Sequence, residues 1–192
     1  MSIAFIIRLW HNEPVRMKWR LDYFEREVLP RIKGQHTDKA FDICVLCPPE
    51  THDKMRSLGI KPFTLTTPGF TYKPQGNFMY DQTVGLDRYD VQLRIDSDDL
   101  ISADYLQTVL NTPTDYVSFQ PQLYLLKSNT VKDMRHQYRE DQPSAFLAVK
   151  NYPECIYHKV FLRFNDRPHT LHPKGRALVA IHDYNTGTKA TS

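Results

Sequence analysis

Residues 91–100 read VQLRIDSDDL, a short apolar run that ends in three carboxylates. The run alternates and carries β-branched side chains, so it predicts a strand driven into a core. Asp96, Asp98 and Asp99 would then lie at the carboxyl end of that strand, where open α/β sheets bind their ligands. This stretch therefore predicts both the central strand of the fold and the position of a site.

The three carboxylates are close enough to repel one another, and a hard divalent cation would relieve that repulsion most simply. We therefore expect Asp98→Asn to remove metal binding and to stabilise the metal-free protein slightly. The stretch is not an EF-hand, because that loop needs an oxygen ligand, a glycine and a glutamate where this chain has Leu100, Ile101 and Gln107. A solvated acidic turn without a ligand is the alternative interpretation.

Strand and helix patterns alternate along the first two-thirds of the chain, which predicts an α/β fold with a mostly parallel central sheet flanked by helices. The predicted strands are residues 3–9, 41–46, 63–65, 91–96, 116–120, 123–126 and 178–181, and the predicted helices are residues 14–32, 51–58, 77–88 and 102–110. Ser102 is expected to cap the last of these helices. Residues 127–142 show no clear period and predict an irregular excursion.

The 192 residues suit one ordinary domain, and a content of 41% hydrophobic and 12% aromatic residues argues against disorder. We expect residues 1–185 to form a single domain and residues 186–192 to be a tail or the start of a linker to any further domain. The net charge of +3 comes from dispersed basic residues, so nucleic acid is not the expected partner.

Arg8 interrupts the N-terminal apolar run before a signal-peptide core has formed, and no apolar stretch approaches the ~20 residues that span a bilayer. The sequence therefore predicts a soluble protein of the cytoplasm, which is the host cytoplasm if the chain is viral. Cys44 and Cys47 have the CxxC spacing, but positions three apart on a strand face opposite sides. With Cys155 they are expected to be buried thiols and neither a disulfide framework nor a zinc site.

Two further groups of residues are candidates for ligand contacts. Arg8, Leu9 and Trp10 end the first predicted strand, where they offer a cation for a phosphate and a ring for a base. A Trp10 that only caps the core is an equal alternative. Lys73, in the longest loop-like stretch, is a candidate phosphate contact, and Asn77 just after it is a candidate base or ribose contact. For both of them, an ordinary surface position is the alternative.

Several motifs, in order along the chain, resemble the bacterial and viral rhamnosyltransferases among the GT-A glycosyltransferases. The most specific motif is residues 94–99, because RIDSDD looks like the Arg-Leu-Asp-x-Asp-Asp of that family. The resemblance spans nearly the whole chain, and its other motifs are Arg8-Leu9-Trp10, Trp19 and Arg20 with Phe24, Leu29-Pro30, Gln35, and His182-x-x-Asn185.

The resemblance implies a GT-A fold, a nucleotide-sugar donor and a Mn²⁺ or Mg²⁺ cofactor. By position, Asp96 would face the ribose or a metal-bound water and Asp98 would ligate the metal, with Arg94 and Ser97 beside the nucleotide. His182 matches the place where many GT-A enzymes supply a third metal ligand, and a core histidine is the alternative. Two carboxylates and an imidazole suit Mn²⁺ better than Ca²⁺.

The implied reaction is transfer of a sugar, a hexose and in the narrower case rhamnose, to a hydroxyl of a glycan or glycoprotein. An inverting enzyme needs a carboxylate to take the acceptor proton, and a retaining enzyme does not. The candidates for this base are Asp99, Asp141, Glu154 and Asp183. Lys150 occupies the region where the family usually places an acceptor-side acid.

Two other functions stay open beside the transferase. A sugar-1-phosphate nucleotidyltransferase of the same fold would show a Gly-rich loop after the first strand, but residues 8–20 contain no glycine. A non-catalytic glycan-binding domain would bind free sugar and ignore nucleotide. Among nucleotides UDP is favoured over GDP and CMP, because Trp10 and residues 47–49 narrow the expected pocket, and dTDP-sugars are the alternative.

Overall fold

A seven-stranded sheet lies at the centre of this computed structural model, which describes residues 1–11, 13–64, 85–134, 146–153, 156 and 168–182. Within these residues the strands are β1 (Ile3–Arg8), β2 (Asp42–Cys47), β3 (Lys61–Thr64), β4 (Val91–Asp96), β5 (Leu100–Ile101), β6 (Tyr116–Phe119), β7 (Gln122–Leu125), β8 (Thr130–Asp133), β9 (Leu147–Lys150), β10 (His169–His172) and β11 (Ala177–Ile181). The α-helices are α1 (Pro14–Tyr23), α2 (Leu29–Lys33), α3 (His52–Ser57) and α4 (Tyr105–Asn111).

The large sheet has the strand order β10-β6-β9-β4-β1-β2-β3. β1 runs parallel to β2 and to β4, β2 runs parallel to β3, and β6 runs parallel to β10. β9 is antiparallel to both of its neighbours, β4 and β6. The described part of the chain therefore confirms the predicted α/β fold with a mostly parallel central sheet.

Both faces of the large sheet carry a hydrophobic core. Phe5 and Ile7 of β1 lie in the core that also holds α1 and α2, whereas Ala4 and Ile6 lie in the core on the other side. This double burial explains why residues 3–9 read as an almost continuous apolar run.

A smaller sheet has the order β5-β11-β7-β8. β11 is antiparallel to β5 and parallel to β7, and β7 forms an antiparallel hairpin with β8. β4 ends at Asp96 and β5 begins at Leu100, so the three residues Ser97–Asp98–Asp99 join the two sheets. We call these three residues the acidic loop.

The predicted helix of residues 14–32 is present and continues to Lys33 through α1, a π-helical turn (Phe24–Val28) and α2. The π-helical turn lies directly ahead of Pro30, whose ring would clash with the carbonyl of residue 26 in a regular α-helix. The buried side chains of this long helix include Arg20, Tyr23, Phe24, Val28 and Ile32. A buried arginine among them distinguishes α1 from a helix that only packs.

Two local predictions are wrong. Ser102 does not cap α4, because its hydroxyl bonds to the Asp104 carboxylate at 2.5 Å and the helix begins only at Tyr105. The predicted excursion of residues 127–142 contains β8, whose four residues are all exposed and therefore carry no apolar period. Of the predicted helix 77–88, residues 85–88 form a turn and the others lie outside the described residues.

Cys44 and Cys47 are buried and free, and they lie in the two different cores, as their spacing on a strand predicts. Burial raises the pKa of the Cys44 thiol to about 11, so it carries no thiolate at neutral pH. None of the helices in the described ranges has the length and apolar character needed to cross a membrane. Cys155 and the predicted tail of residues 186–192 lie outside the described residues.

Candidate functional site

The acidic loop is buried where it leaves the large sheet. Ser97 and Asp99 have no exposed surface, and Asp98 is 2% exposed. The Asp99 N–H donates to the Asp96 carbonyl at 3.1 Å and closes a tight turn. A solvated acidic turn is therefore wrong, and charges buried to this degree need partners supplied by the protein.

Asp98 finds its partners at distant positions of the chain. Its Oδ2 lies 3.2 Å from Nη2 of Arg20 on α1 and 3.0 Å from Nε2 of His182, which follows β11. Nη1 of Arg20 also donates to the Ser97 hydroxyl at 3.4 Å. Asp98 and His182 are 84 positions apart in sequence, and the fold brings them into contact. Their assignment as metal ligands stays a prediction.

Aromatic rings hold His182 in place. The Trp19 ring lies 4.0 Å from the imidazole of His182 and stacks on Tyr23 at 5.0 Å between centroids. Burial raises the pKa of Tyr23, and nearby negative charges, including those of Asp98 and Asp99, add to the effect. The Tyr23 hydroxyl is buried without a hydrogen-bond partner in the part of the chain that the structure describes.

Asp99 ties the acidic loop to the small sheet. Its Oδ1 accepts a hydrogen bond from the backbone N–H of Ala180 in β11 at 3.2 Å. Because β11 also leads into His182, this bond fixes the strand that presents the imidazole. The contact favours a positioning role for Asp99, and its assignment as a catalytic base stays a prediction.

Asp96 and Arg94 lie at the edge of the buried cluster. The side chain of Asp96 is 18% exposed, and Nη2 of Arg94 lies 3.9 Å from its Oδ1. That Oδ1 is buried and has no hydrogen bond within the described residues. Asp96 stands opposite Arg8 of β1 in the parallel register. The end of β4 thus carries one carboxylate that is partly exposed, in contrast to the buried Asp98 and Asp99.

The chemistry and spacing of Asp98 and His182 fit a divalent cation. Adjacent ligands of an octahedral ion at about 2.1 Å lie about 3.0 Å apart, which is the distance between Asp98 Oδ2 and His182 Nε2. Within the described ranges no three His, Cys, Asp or Glu side chains form a ligand group. Mg²⁺ in phosphate-binding enzymes is typically held by one or two carboxylates together with substrate phosphates. Asp98 and His182 would leave the remaining positions of such an ion to substrate phosphates.

Solved structures with a similar fold include those of S. aureus TarS, which is a glycosyltransferase. TarS 1-349 in complex with UDP matches with a TM-score of 0.59 at 14% identity, over 94% of this chain and 61% of that chain. A second structure of TarS 1-349 matches with a TM-score of 0.56 at 15% identity, over 94% of this chain and 60% of that chain. The fold is the GT-A fold.

A third TarS structure matches with a TM-score of 0.57 at 17% identity, over 94% of this chain and 37% of that chain. The chain therefore spans less than two-thirds of the TarS chains that it resembles, and at these identities the likeness shows the fold. No protein-family model and no curated protein matches the sequence.

The residues at the end of β1 that the sequence predicts to contact the nucleotide differ in burial in this GT-A fold. Leu9 is fully buried and its N–H donates to the Leu46 carbonyl at 2.9 Å. Trp10 is half-buried and stacks on His11 with centroids 6.5 Å apart. Burial lowers the pKa of His11, and the positive charge of Arg20 adds to the effect. The end of β1 therefore lies within the electrostatic reach of Arg20.

Lys150 does not lie beside the acidic loop. It pairs with Val91 at the amino end of β4, because β9 runs antiparallel to that strand. Its amine donates to the Thr112 carbonyl. The lysine thus occupies the end of the GT-A sheet opposite the candidate site. Lys73, Asn77, Asp141, Glu154, Asp183 and Asn185 lie outside the described residues, and their assignments stay predictions.

Arg20 is the site residue to which sequence reasoning gave no role. It appears among the family motifs, but no local pattern connects it to residues 97 and 98. The available signal is a charged residue on the buried face of an amphipathic helix, one position after Trp19 and three before Tyr23.

Proposed function

We propose that this chain is a metal-dependent glycosyltransferase domain that moves a sugar from a UDP-sugar to a glycan hydroxyl. The observation that carries the proposal is the buried Asp98–His182 pair at the carboxyl end of β4 in a GT-A fold. The similarity to TarS, which was crystallised with UDP, supports the choice of nucleotide. The resemblance of residues 94–99 to the rhamnosyltransferases supports a hexose donor, with rhamnose as the narrower proposal.

The residues at the end of β4 and β11 divide the work of binding. Asp98 and His182 would hold Mn²⁺ or Mg²⁺, which when bound stabilises the negative charge of the leaving nucleoside diphosphate. Asp96 would accept a hydrogen bond from a ribose hydroxyl, because its side chain is 18% exposed at the end of β4. Arg8 and the half-buried Trp10 would contact a phosphate and the base.

Acceptor chemistry depends on the stereochemical course. If the enzyme inverts, a carboxylate must take the acceptor proton. Asp99 is held by the Ala180 N–H and has no exposed surface, so it is poorly placed to meet an acceptor hydroxyl. Glu154 and Asp183 are then the better candidates in the proposal, followed by Asp141.

The test is titration calorimetry with UDP in the presence and absence of Mn²⁺. We expect binding only with the metal, and we expect Asp98→Asn to lose it while Asp53→Asn, an exposed aspartate on α3, retains it. Metal-dependent UDP binding of unchanged affinity in Asp98→Asn would show that the metal assignment is wrong. Binding of free sugar with no response to nucleotide would identify a glycan-binding domain instead.

Competition with GDP, CMP and dTDP tests the choice of base. We expect UDP to bind most tightly, because Trp10, which is half-buried, and residues 47–49 are expected to leave less room for a purine. A clear preference for GDP would overturn this part of the proposal and leave the transferase assignment standing.

A further inference from the structure

Arg20 occupies the place where a cation would meet Asp98. Its Nη2 lies 3.2 Å from Asp98 Oδ2, the same oxygen that contacts His182 Nε2 at 3.0 Å. The Asp98 side chain is 2% exposed and that of Arg20 is 10% exposed, so water screens the charges poorly. A guanidinium and a divalent cation on the same buried oxygen repel each other, so binding of the cation there weakens the pairing of Asp98 with Arg20.

Arg20 also has hydrogen-bonding capacity that the described contacts do not use. A guanidinium carries five N–H donors in a fork that matches phosphate oxygens. The contacts above use Nη1 and Nη2, whereas Nε is buried without a hydrogen-bond partner in the described part of the chain. An arginine buried to this degree that loses its carboxylate is strongly destabilising unless another anion replaces it.

We propose that Arg20 exchanges partners, pairing with Asp98 in the unliganded protein and with the donor diphosphate when Asp98 takes up the cation. The inference rests on the proposed function, and it adds a phosphate-binding residue that couples the two ligands. Metal alone competes with Arg20 for Asp98 and leaves the guanidinium with a weaker partner, whereas metal and diphosphate together would satisfy both Asp98 and Arg20. Each ligand should therefore strengthen the binding of the other, as any coupling between two sites is reciprocal.

The first experiment compares Arg20→Gln with the wild type by calorimetry, using Mn²⁺ alone, UDP with saturating Mn²⁺, and uridine with saturating Mn²⁺. Lys18→Gln is the matched control, since Lys18 is an exposed cation on the same helix and pairs with Asp22 four positions along it. In Arg20→Gln we expect Mn²⁺ alone to bind roughly 5-fold more tightly and UDP at least ~10-fold more weakly, within the usual range of coupling between sites. Uridine, which has no phosphate, should bind as in the wild type.

A second variant keeps the test decisive if Arg20→Gln fails to fold. Arg20→Lys preserves the positive charge beside Asp98 but loses the planar fork. We expect it to bind Mn²⁺ alone as the wild type does and to bind UDP with Mn²⁺ several-fold more weakly.

The outcomes separate this inference from the proposed function. A wild type that binds UDP only with Mn²⁺, together with Arg20 variants of unchanged affinity, would overturn the partner exchange alone. Weaker binding of Mn²⁺ alone in Arg20→Gln would also overturn it, because Arg20 would then support the metal site. A wild type without metal-dependent UDP binding would overturn the proposed function, and the inference with it.

Discussion

An aspartate lies near each end of β4, and the two charges are stabilised in different ways. At the amino end, Asp90 is exposed and accepts a hydrogen bond from the Ser2 N–H at 2.6 Å, which lowers its pKa. At the carboxyl end, Asp98 is buried against Arg20 and His182. Water can satisfy the charge of Asp90 if Ser2 moves away, whereas the charge of Asp98 depends on side chains from two distant elements.

This difference shows what separates a candidate site from an ordinary charged turn. A carboxylate at the end of a strand is common, and exposure makes its partners optional. Burial makes the partners necessary, so the stability of the buried Asp98 depends on keeping Arg20 and His182 in place. The three predictions below test this contrast, from the largest expected effect to the smallest.

Replacing each aspartate by asparagine should separate the two ends of β4 most clearly. In the metal-free protein, Asp98→Asn should lower the free energy of unfolding by about 3 kcal/mol, because it leaves Arg20 as an uncompensated buried charge. Asp90→Asn should change the stability much less. Urea unfolding in the presence of a chelator measures both. An Asp98→Asn variant as stable as the wild type, or more so, would contradict the ion pair and restore the expectation from carboxylate repulsion alone.

The histidines that follow β11 and end β10 should respond differently to truncation. His182→Ala should weaken Mn²⁺-dependent UDP binding roughly tenfold, the scale of one charge-assisted contact. His172 stacks on Phe119, and its Nε2 lies 2.7 Å from the Thr112 hydroxyl. His172→Ala should therefore lower the melting temperature without changing UDP affinity. Equal UDP affinity in both variants would remove His182 from the site.

The smallest effect should appear in the pH dependence of stability. Burial lowers the pKa of His172, and the positive charge of Arg176 adds to the effect. The unfolded chain therefore binds this proton more readily than the folded chain just below the ordinary histidine pKa of ~6.5. The stability that comes from keeping His172 neutral is fully present above pH ~6.5. It is lost as the pH falls from that value through the lowered pKa of His172 in the folded protein.

The melting temperature of His172→Gln should accordingly fall less than that of the wild type when the pH is lowered from about 7 to about 5. The pKa of His11 is also lowered by burial, so the melting temperature of His172→Gln should still depend partly on pH. The double variant with His11→Gln should show a weaker pH dependence of the melting temperature. Identical slopes in all three proteins would show that neither histidine is held neutral by the fold.

The elements that the sequence predicts well are those whose own residues carry the pattern. β4 alternates and ends in carboxylates, and the long helix from Pro14 shows its apolar stripe, so both are found close to their observed bounds. β8 is missed because its four residues are all exposed and its bonds come from β7. The start of α4 is misplaced because the Ser102 hydroxyl bonds to a side chain instead of a helix N–H.

The candidate site is predictable only in part, for a different physical reason. The carboxylates and His182 can be selected as candidates from the sequence, because of their residue types and their positions at the ends of predicted strands. The contact between Arg20 and the acidic loop joins residues 77 positions apart, and nothing in the sequence around Arg20 records it. Such a pairing follows from how α1 packs against the sheet, which only the folded structure supplies.

The order of the chain has a consequence for when the site can form during synthesis. The acidic loop joins the two sheets, but its partners come from residue 20 near the start and residue 182 beyond β11. A nascent chain that has already paired β1, β2 and β4 still lacks the imidazole, and the Ala180 N–H that holds Asp99 has not yet been made. Under the proposed function, cation binding would become possible only after the small sheet has closed around β11. The metal would therefore stabilise the protein only after both sheets have formed, and it could not guide the earlier stages of folding.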